Sequence, residues 1–269
     1  MALRGCLSEY DATVATGFTV TAGYPGETLC NNNPVFYLNH GHDRHMVIKT
    51  ENLRWQWPDQ STTLAFPDIR LPSGDHLFIR GPSGSGKSTL LSLLSGLNRP
   101  LEGGLEVHGQ DLARLSGGDR DRLRADRTGV IFQQFNLVPY LNALDNVTLP
   151  CRLSAIRHRK AGQPQQTART LLQALDLPAD CLTRKPSTLS IGQQQRVAAA
   201  RALIGAPPLI LADEPTSALD TDNRDRFVRL LLDQAAANGS SVVFVSHDPA
   251  LAEHFTQHLE LSSGQESRP

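Results

Sequence analysis

Gly81-Pro82-Ser83-Gly84-Ser85-Gly86-Lys87-Ser88-Thr89 combines glycines, a lysine and hydroxyls in the order G-x-x-x-x-G-K-S. Residues of these types at this spacing suit the binding of phosphate. Glycines let successive backbone N–H groups close around phosphate oxygens, in conformations that a Cβ disfavours. The apolar run His76 to Arg80 precedes the loop, and the helical pattern Leu90 to Gly96 follows it. The start of that helix contributes unpaired N–H groups and the positive end of its dipole. Lys87 is then placed to reach the β- and γ-phosphates, and Ser88 to ligate Mg²⁺. In a second stretch, Leu209-Ile210-Leu211-Ala212-Asp213-Glu214-Pro215-Thr216, an apolar strand ends in adjacent carboxylates. Asp213 at the strand tip can hold Mg²⁺ opposite Ser88. Glu214 is placed to polarise or deprotonate an attacking water. Alone, a carboxylate pair after a strand reads as a solvated turn; downstream of a phosphate loop it reads as chemistry.

The elements that must position these groups can be read in chain order. Residues 1–45 show little periodicity and are expected to be a loosely ordered extension. Met46 is expected to be the true translation start. His40, His42 and His45 in that region read as histidines of a flexible tail rather than as metal ligands. From Met46 to the phosphate loop the pattern is β-rich, with Trp55 and Trp57 in it. Gly103 to Gly109 reads as a short strand and turn, Asp111 to Arg127 as charged and partly helical, and Gly129 to Phe132 as a buried strand. Helical periodicity dominates residues 137–205, which read as a helical insertion. Strands at Pro208 to Asp213 and Ser241 to Ser246 flank a helix from Asp222 to Asn238. Alternating strands and helices imply an α/β domain with a mostly parallel sheet.

Bulk properties limit the function classes. The chain has 269 residues, 39% hydrophobic and 20% charged, with a net charge of −1. That charge gives no global electrostatic case for nucleic acid or an anionic membrane surface. Cys6, Cys30, Cys151 and Cys181 lack C-x-x-C spacing and read as reduced thiols of a cytoplasmic protein. No apolar run is long enough to cross a bilayer, and Met1 to Tyr10 do not read as a secretory signal. Service to a membrane process would therefore go through a membrane partner, without direct insertion.

Taken together, the motifs resemble those of the ATP-binding cassette (ABC) ATPases, over residues 46 to about 265. Leu189-Ser190-Ile191-Gly192-Gln193 is similar to the family's signature motif, and Gln194 to Ala202 continues it as a helix. The resemblance implies a RecA-like P-loop NTPase core with an antiparallel β subdomain and a helical subdomain at about 137–205. It implies ATP hydrolysis with Mg²⁺, by two cassettes paired head to tail. The residues expected around ATP are Gly81 to Thr89 and, from the opposite chain, Ser190, Gly192, Gln193 and Asp220. A helix N-terminus, the Ser190 hydroxyl and the Gly192 N–H can meet a γ-phosphate.

The resemblance also assigns Gln133, in preference to Gln134, to the Q-loop as a ligand of Mg²⁺ or the water. Ser217-Ala218-Leu219-Asp220 matches the D-loop, and His247 the switch histidine on the γ-phosphate. Trp57, with Trp55 as its rival, matches the aromatic residue that stacks on adenine. Ile191 stands where the family pattern has glycine. A β-branched residue resists φ > 0, so altered closure is one expectation here and ordinary function the other. Leu115-Ser116-Gly117-Gly118-Asp119 mimics the signature in its glycines, but comes too early and reads as a turn beside a charged helix.

Gly129 to Pro139 and Leu141 to Val147 are similar to the lipoprotein-releasing, macrolide-exporter and cell-division cassettes (LolD, MacB, FtsE). That group works with FtsX/MacB-like integral membrane permeases, which implies a peripheral place on the cytoplasmic face of the inner membrane. A transporter ATPase is the leading function. An FtsE-like mechanotransmission ATPase that moves no cargo is the alternative. A soluble ABC protein of translation or DNA repair lacks support, because the chain has neither tandem cassettes nor a long coiled-coil insertion.

Overall fold

The computed structural model describes residues 45–58, 62–217, 219–262 and, as backbone, 265–267. Residues 1–44 of the expected extension, with His40 and His42, lie outside the described residues, as do Cys6 and Cys30; His45 is described, and its carbonyl accepts from the Ser73 N–H at 2.9 Å. Cys151 and Cys181 are buried free thiols.

In chain order the elements are β1 (Met46–Gln56), β2 (Thr62–Ala65), β3 (Arg70–Pro72), β4 (His76–Arg80), α1 (Lys87–Leu94), β5 (Glu102–Val107), β6 (Gln110–Asp111) and α2 (Gly117–Arg127). There follow β7 (Thr128–Ile131), α3 (Ala143–Leu153), α4 (Ala155–Ala161), α5 (Pro164–Ala174), α6 (Ile191–Leu203), β8 (Leu209–Asp213), α7 (Thr221–Ala237), β9 (Ser241–Val245), β10 (Gln257–Glu260) and β11 (Gln265–Ser267).

The strands form two sheets. One runs β11-β2-β1-β5-β6, with β3 also on β1, and all its pairings are antiparallel. The other runs β10-β4-β9-β8-β7 and is parallel throughout. Parallel strands covered on both faces read as continuous apolar runs. Both central strands do: β9 is buried along its whole length and β8 as far as Ala212.

Alternation along these strands feeds two cores. Phe78, Ile210, Ala212, Val242 and Phe244 face a core shared with α3, α5, α6 and α7. Leu77, Ile79, Leu209, Leu211, Val243 and Val245 face one shared with α1 and the antiparallel sheet.

Arg157 anchors the helical segment to the parallel sheet. Its side chain is buried and donates to the carbonyls of Thr128, Arg201, Ala202 and Ile204. The last carbonyls of a helix lack intrahelical donors and carry the negative end of its dipole. At the end of α6 they receive this cation in place of a carboxylate. Burial lowers the Arg157 pKa to about 10. Beside it, β7 and α6 approach so closely that a Cβ on Gly129 would lie 2.3 Å from the Ala202 carbonyl oxygen.

The sequence expectation for Leu115 to Asp119 needs correction. This stretch is the start of α2 itself: the Ser116 side chain accepts from the Asp119 N–H and caps the helix. Its serine-and-glycine pattern satisfies the same capping chemistry as a true signature does.

Two outcomes follow from this packing. Gly129→Ala should lower the unfolding free energy by about 1–3 kcal/mol, the cost of overpacking, seen as a lower denaturant midpoint with unchanged slope. The buried His108, 3.5 Å from Thr128 Oγ1, has its pKa lowered to about 4, by burial first and then by Arg127 and His45. Its folded pKa lies below the ordinary histidine value of about 6.5. The stability it contributes is therefore present above about pH 6.5 and is lost as pH falls towards 4. His108→Gln should flatten that loss in urea melts across this range.

Candidate functional site

The sheet register places the chemistry. Val245 stands opposite Ile79 of β4 on one side and Asp213 of β8 on the other. The loops after β4, β8 and β9 therefore leave the same end of the sheet. The crevice beyond the carboxyl ends of parallel strands is where open α/β sheets bind ligands.

After β4 the chain turns through the glycines. A Cβ on Gly81 would lie 2.5 Å from the Leu261 carbonyl oxygen, so only glycine fits there. Gly84 and Gly86 have φ of 81° and 89°, in the left-handed region. Gly86 then caps α1 without a side-chain bond, which leaves the first-turn N–H groups of α1 for another acceptor. Lys87 is buried and folds back over the loop, donating to the carbonyls of Gly81 at 2.8 Å and Pro82 at 2.9 Å. The Ser85 hydroxyl is buried with no partner among the described residues.

Ser88 lies close enough to Asp213 to affect its titration. Burial raises the Asp213 pKa, and the Ser88 hydroxyl opposes the shift. The charge of Glu214 raises it further, and that of Lys87 lowers it. Glu214 sits at φ 42°, unusual for a residue with a Cβ. Its N–H donates to the Val245 carbonyl at 3.0 Å, which carries the β8–β9 ladder one residue past the strand. Its carboxylate lies 3.4 Å from Nδ1 of His247, which follows β9 closely.

The loop, Glu214 and His247 open onto one cleft of about 530 Å³, lined by Trp57, Thr62, Leu64, Ser83, Gly84, Gly86, Lys87, Ser88, Thr89, Gln133, Glu214 and His247. The structure separates the two tryptophans. Trp55 is 7% exposed and belongs to the core, whereas Trp57 is 45% exposed and lines the cleft. The rings meet edge to face, with centroids 4.3 Å apart. Thr62 and Leu64 were not picked out from the sequence. Period two puts them on one face of β2, but only the packing of the two sheets turns that face to the cleft.

The cleft suits a phosphate and a divalent cation. It combines a glycine cradle with Ser88, and beside it stand the orphaned Ser85 hydroxyl and the Asp213 carboxylate; hydroxyl and carboxylate oxygens are the ligand type that Mg²⁺ prefers. Gln133, exposed just past β7, adds a carbonyl oxygen.

Ser190, Gly192, Gln193 and Asp220 are not among the residues lining this cleft. Ser190 caps α6 in a reciprocal capping box with Gln193, and Asp220 caps α7. Ser190 and Gly192 line a second cavity, of about 220 Å³, with Gln195, Arg196, Leu219, Asn223 and Phe227. The strain expected at Ile191 is absent. Ile191 is the first residue of α6 and lies outside the left-handed region, so the position does not require glycine; its side chain is 53% exposed.

Comparison with known proteins agrees with this geometry. A family model described as ABC transporter matches residues 67–217, more than half of the chain, and an AAA domain model matches residues 182–253. The lipoprotein-releasing system ATP-binding protein LolD of Xylella fastidiosa is 42% identical over 197 residues, 73% of this chain and 80% of that protein. The macrolide export ATP-binding/permease protein MacB of Chromobacterium violaceum is 40% identical over 207 residues, 77% of this chain but 31% of that longer protein. Among solved structures, the dimeric form of the bacterial ABC transporter cassette MJ0796 superposes with a TM-score of 0.70 at 35% identity, covering 81% of this chain and 95% of that one. A post-hydrolysis dimer of MJ0796 bound to ADP and Pi gives 0.69 at 33% identity, covering 82% and 99%. With its glycine loop, paired carboxylates and capped α6 in place, the chain belongs to the ABC transporter family as an ATP-binding cassette.

Proposed function

We propose that two copies of this chain bind ATP between them, and that hydrolysis drives an FtsX/MacB-type membrane permease. The observation that carries this reading is the separation of the two surfaces. The cleft offers the P-loop, Glu214 and His247, with Asp213 beside Ser88, while Ser190, Gly192, Gln193 and Asp220 do not line it. A γ-phosphate held on the P-loop can then meet the signature helix of a second chain, whose capped N-terminus presents N–H groups to an anion.

In the cleft, Lys87 exchanges its loop carbonyls for the β- and γ-phosphate oxygens, and the Ser85 hydroxyl gains an acceptor. Trp57 stacks on the adenine. Ser88, Asp213 and Gln133 would hold Mg²⁺, which when bound neutralises phosphate charge. Glu214 accepts a proton from water as its oxygen attacks the γ-phosphorus and the bond to the bridging β–γ oxygen breaks. His247 hydrogen-bonds the γ-phosphate and steadies Glu214. Catalysis in this scheme is positioning and charge stabilisation.

Residues 46–265 act as the cassette, with 137–205 as the moving helical subdomain. A largely apolar groove of about 500 Å³ suits the permease contact. It is lined by Phe132, Asn136, Leu149, Pro150 and Leu153 among others, next to Gln133. No helix among the described residues is long and apolar enough to cross a membrane. Attachment at the cytoplasmic face would therefore run through that contact.

Lys87→Ala should weaken MgATP binding by about 10- to 100-fold, the value of charge-assisted bonds, in equilibrium titration. Glu214→Gln should bind ATP, lose about 10²–10⁴-fold in kcat, and elute as a dimer with MgATP; a monomer with normal turnover would refute the assignment. Trp57→Ala should cost about tenfold in ATP affinity, the scale of one lost stack, while Trp55→Ala should mainly lower Tm.

A further inference from the structure

The loop bearing His247 is tied to the helix that begins at Asp220, by contacts that the mechanism above does not use. At the start of α7 the Asp220 carboxylate accepts from the Asn223 N–H at 3.0 Å and from Asn223 Nδ2 at 2.8 Å. The Asp220 carbonyl accepts from the Arg224 N–H at 2.9 Å. The Arg224 guanidinium then forms an ion pair, through Nη1, with Oδ2 of Asp248.

Asp248 directly follows His247. Its Oδ1 accepts the Ala250 N–H at 2.9 Å and caps the short turn Pro249–His254, and its own N–H donates to Ser246 Oγ at 3.1 Å. Both carboxylate oxygens are therefore engaged, one on each side of the joint. The contacts run without a break from Asp220 through Arg224 and Asp248 to His247, and from His247 to Glu214.

The pair is well placed to carry force. The Arg224 and Asp248 side chains are only 17% and 20% exposed, so salt screens their attraction weakly. The other acidic group near Arg224 among the described residues is Asp225, at 3.8 Å. Arg224 Nε is buried without a hydrogen-bond partner among the described residues, so the ion pair through Nη1 is the guanidinium's nearest charged contact.

We infer that Arg224 and Asp248 are positioning residues that couple the Asp220 loop to His247, making hydrolysis answer to whatever meets that loop. The inference rests on the two-chain ATPase proposed above. In that arrangement the Asp220 loop lies at the seam between copies, and a displacement there moves the root of α7. Arg224 passes the displacement to Asp248, and so to the imidazole beside Glu214. Neither Arg224 nor Asp248 lines the cleft, so ATP binding should not depend on them.

The test compares the full chain with Arg224→Gln, Asp248→Asn, which keeps a cap acceptor, and Arg224→Lys, which keeps the charge. MgATP affinity, kcat, the Hill coefficient for ATP and Tm are measured for each. Arg224→Gln and Asp248→Asn should bind MgATP within about twofold of the parent, yet lose about tenfold in kcat. Their Hill coefficient should fall from about two towards one, and Arg224→Lys should recover most of both. Parental kcat and Hill coefficient in the two neutral variants would overturn the inference alone. So would a loss of Tm or of ATP affinity large enough to account for the missing rate. Absence of ATP turnover in the unsubstituted chain would overturn the proposed function, and this coupling with it.

Discussion

The hydrogen-bonded register of three parallel strands governs the rest of the molecule. Because Val245 stands opposite both Ile79 and Asp213, the ends of β4, β8 and β9 are level. The phosphate loop, the paired carboxylates and His247 leave the sheet at one height and share one cleft. A one-residue slip of β8 would turn every inward side chain to the opposite face. Asp213 would then lose Ser88, and the two cores would lose their alternating contributions. The near-continuous burial of β8 and β9 makes that slip costly.

Close backbone contacts hold this frame in place. Gly81 lets the phosphate loop pass the Leu261 carbonyl, and Gly129 lets β7 pass the end of α6. Arg157 converts the unpaired carbonyls at the end of α6 into a charge-assisted anchor. The helical segment is thereby fixed to the sheet at its base, while the N-terminus of α6, with Ser190 and the exposed Ile191, points to a different surface. A helix held firmly at one end and capped at the other can present its N-terminal N–H groups as a unit.

Local chemistry does not distinguish the start of α6 from the start of α2. Ser116 and Ser190 cap their helices with nearly the same backbone angles, φ −64° and ψ 162° against φ −63° and ψ 162°. Both accept from the N–H three residues on. What differs is position. Ser190 borders the cavity beside Leu219 and Asn223, while Ser116 opens a charged helix with no buried residue.

By itself the sequence determined the parts whose chemistry is local. Glycine and lysine spacing set the phosphate loop, since backbone conformations near φ +85° admit few residues other than glycine. Apolar runs set the parallel strands, because a strand covered on both faces has no polar side. Motif order pointed to Gln133, Glu214 and His247, and all three line the cleft. Only the tertiary structure decided which tryptophan faces the cleft, because Trp55 and Trp57 lie on the same side of the period-two pattern. It also brought in Thr62 and Leu64 and relieved Ile191 of any strain. Finally, it joined Arg224 to Asp248. Such contacts depend on how separate elements pack and leave no spacing for a sequence to display.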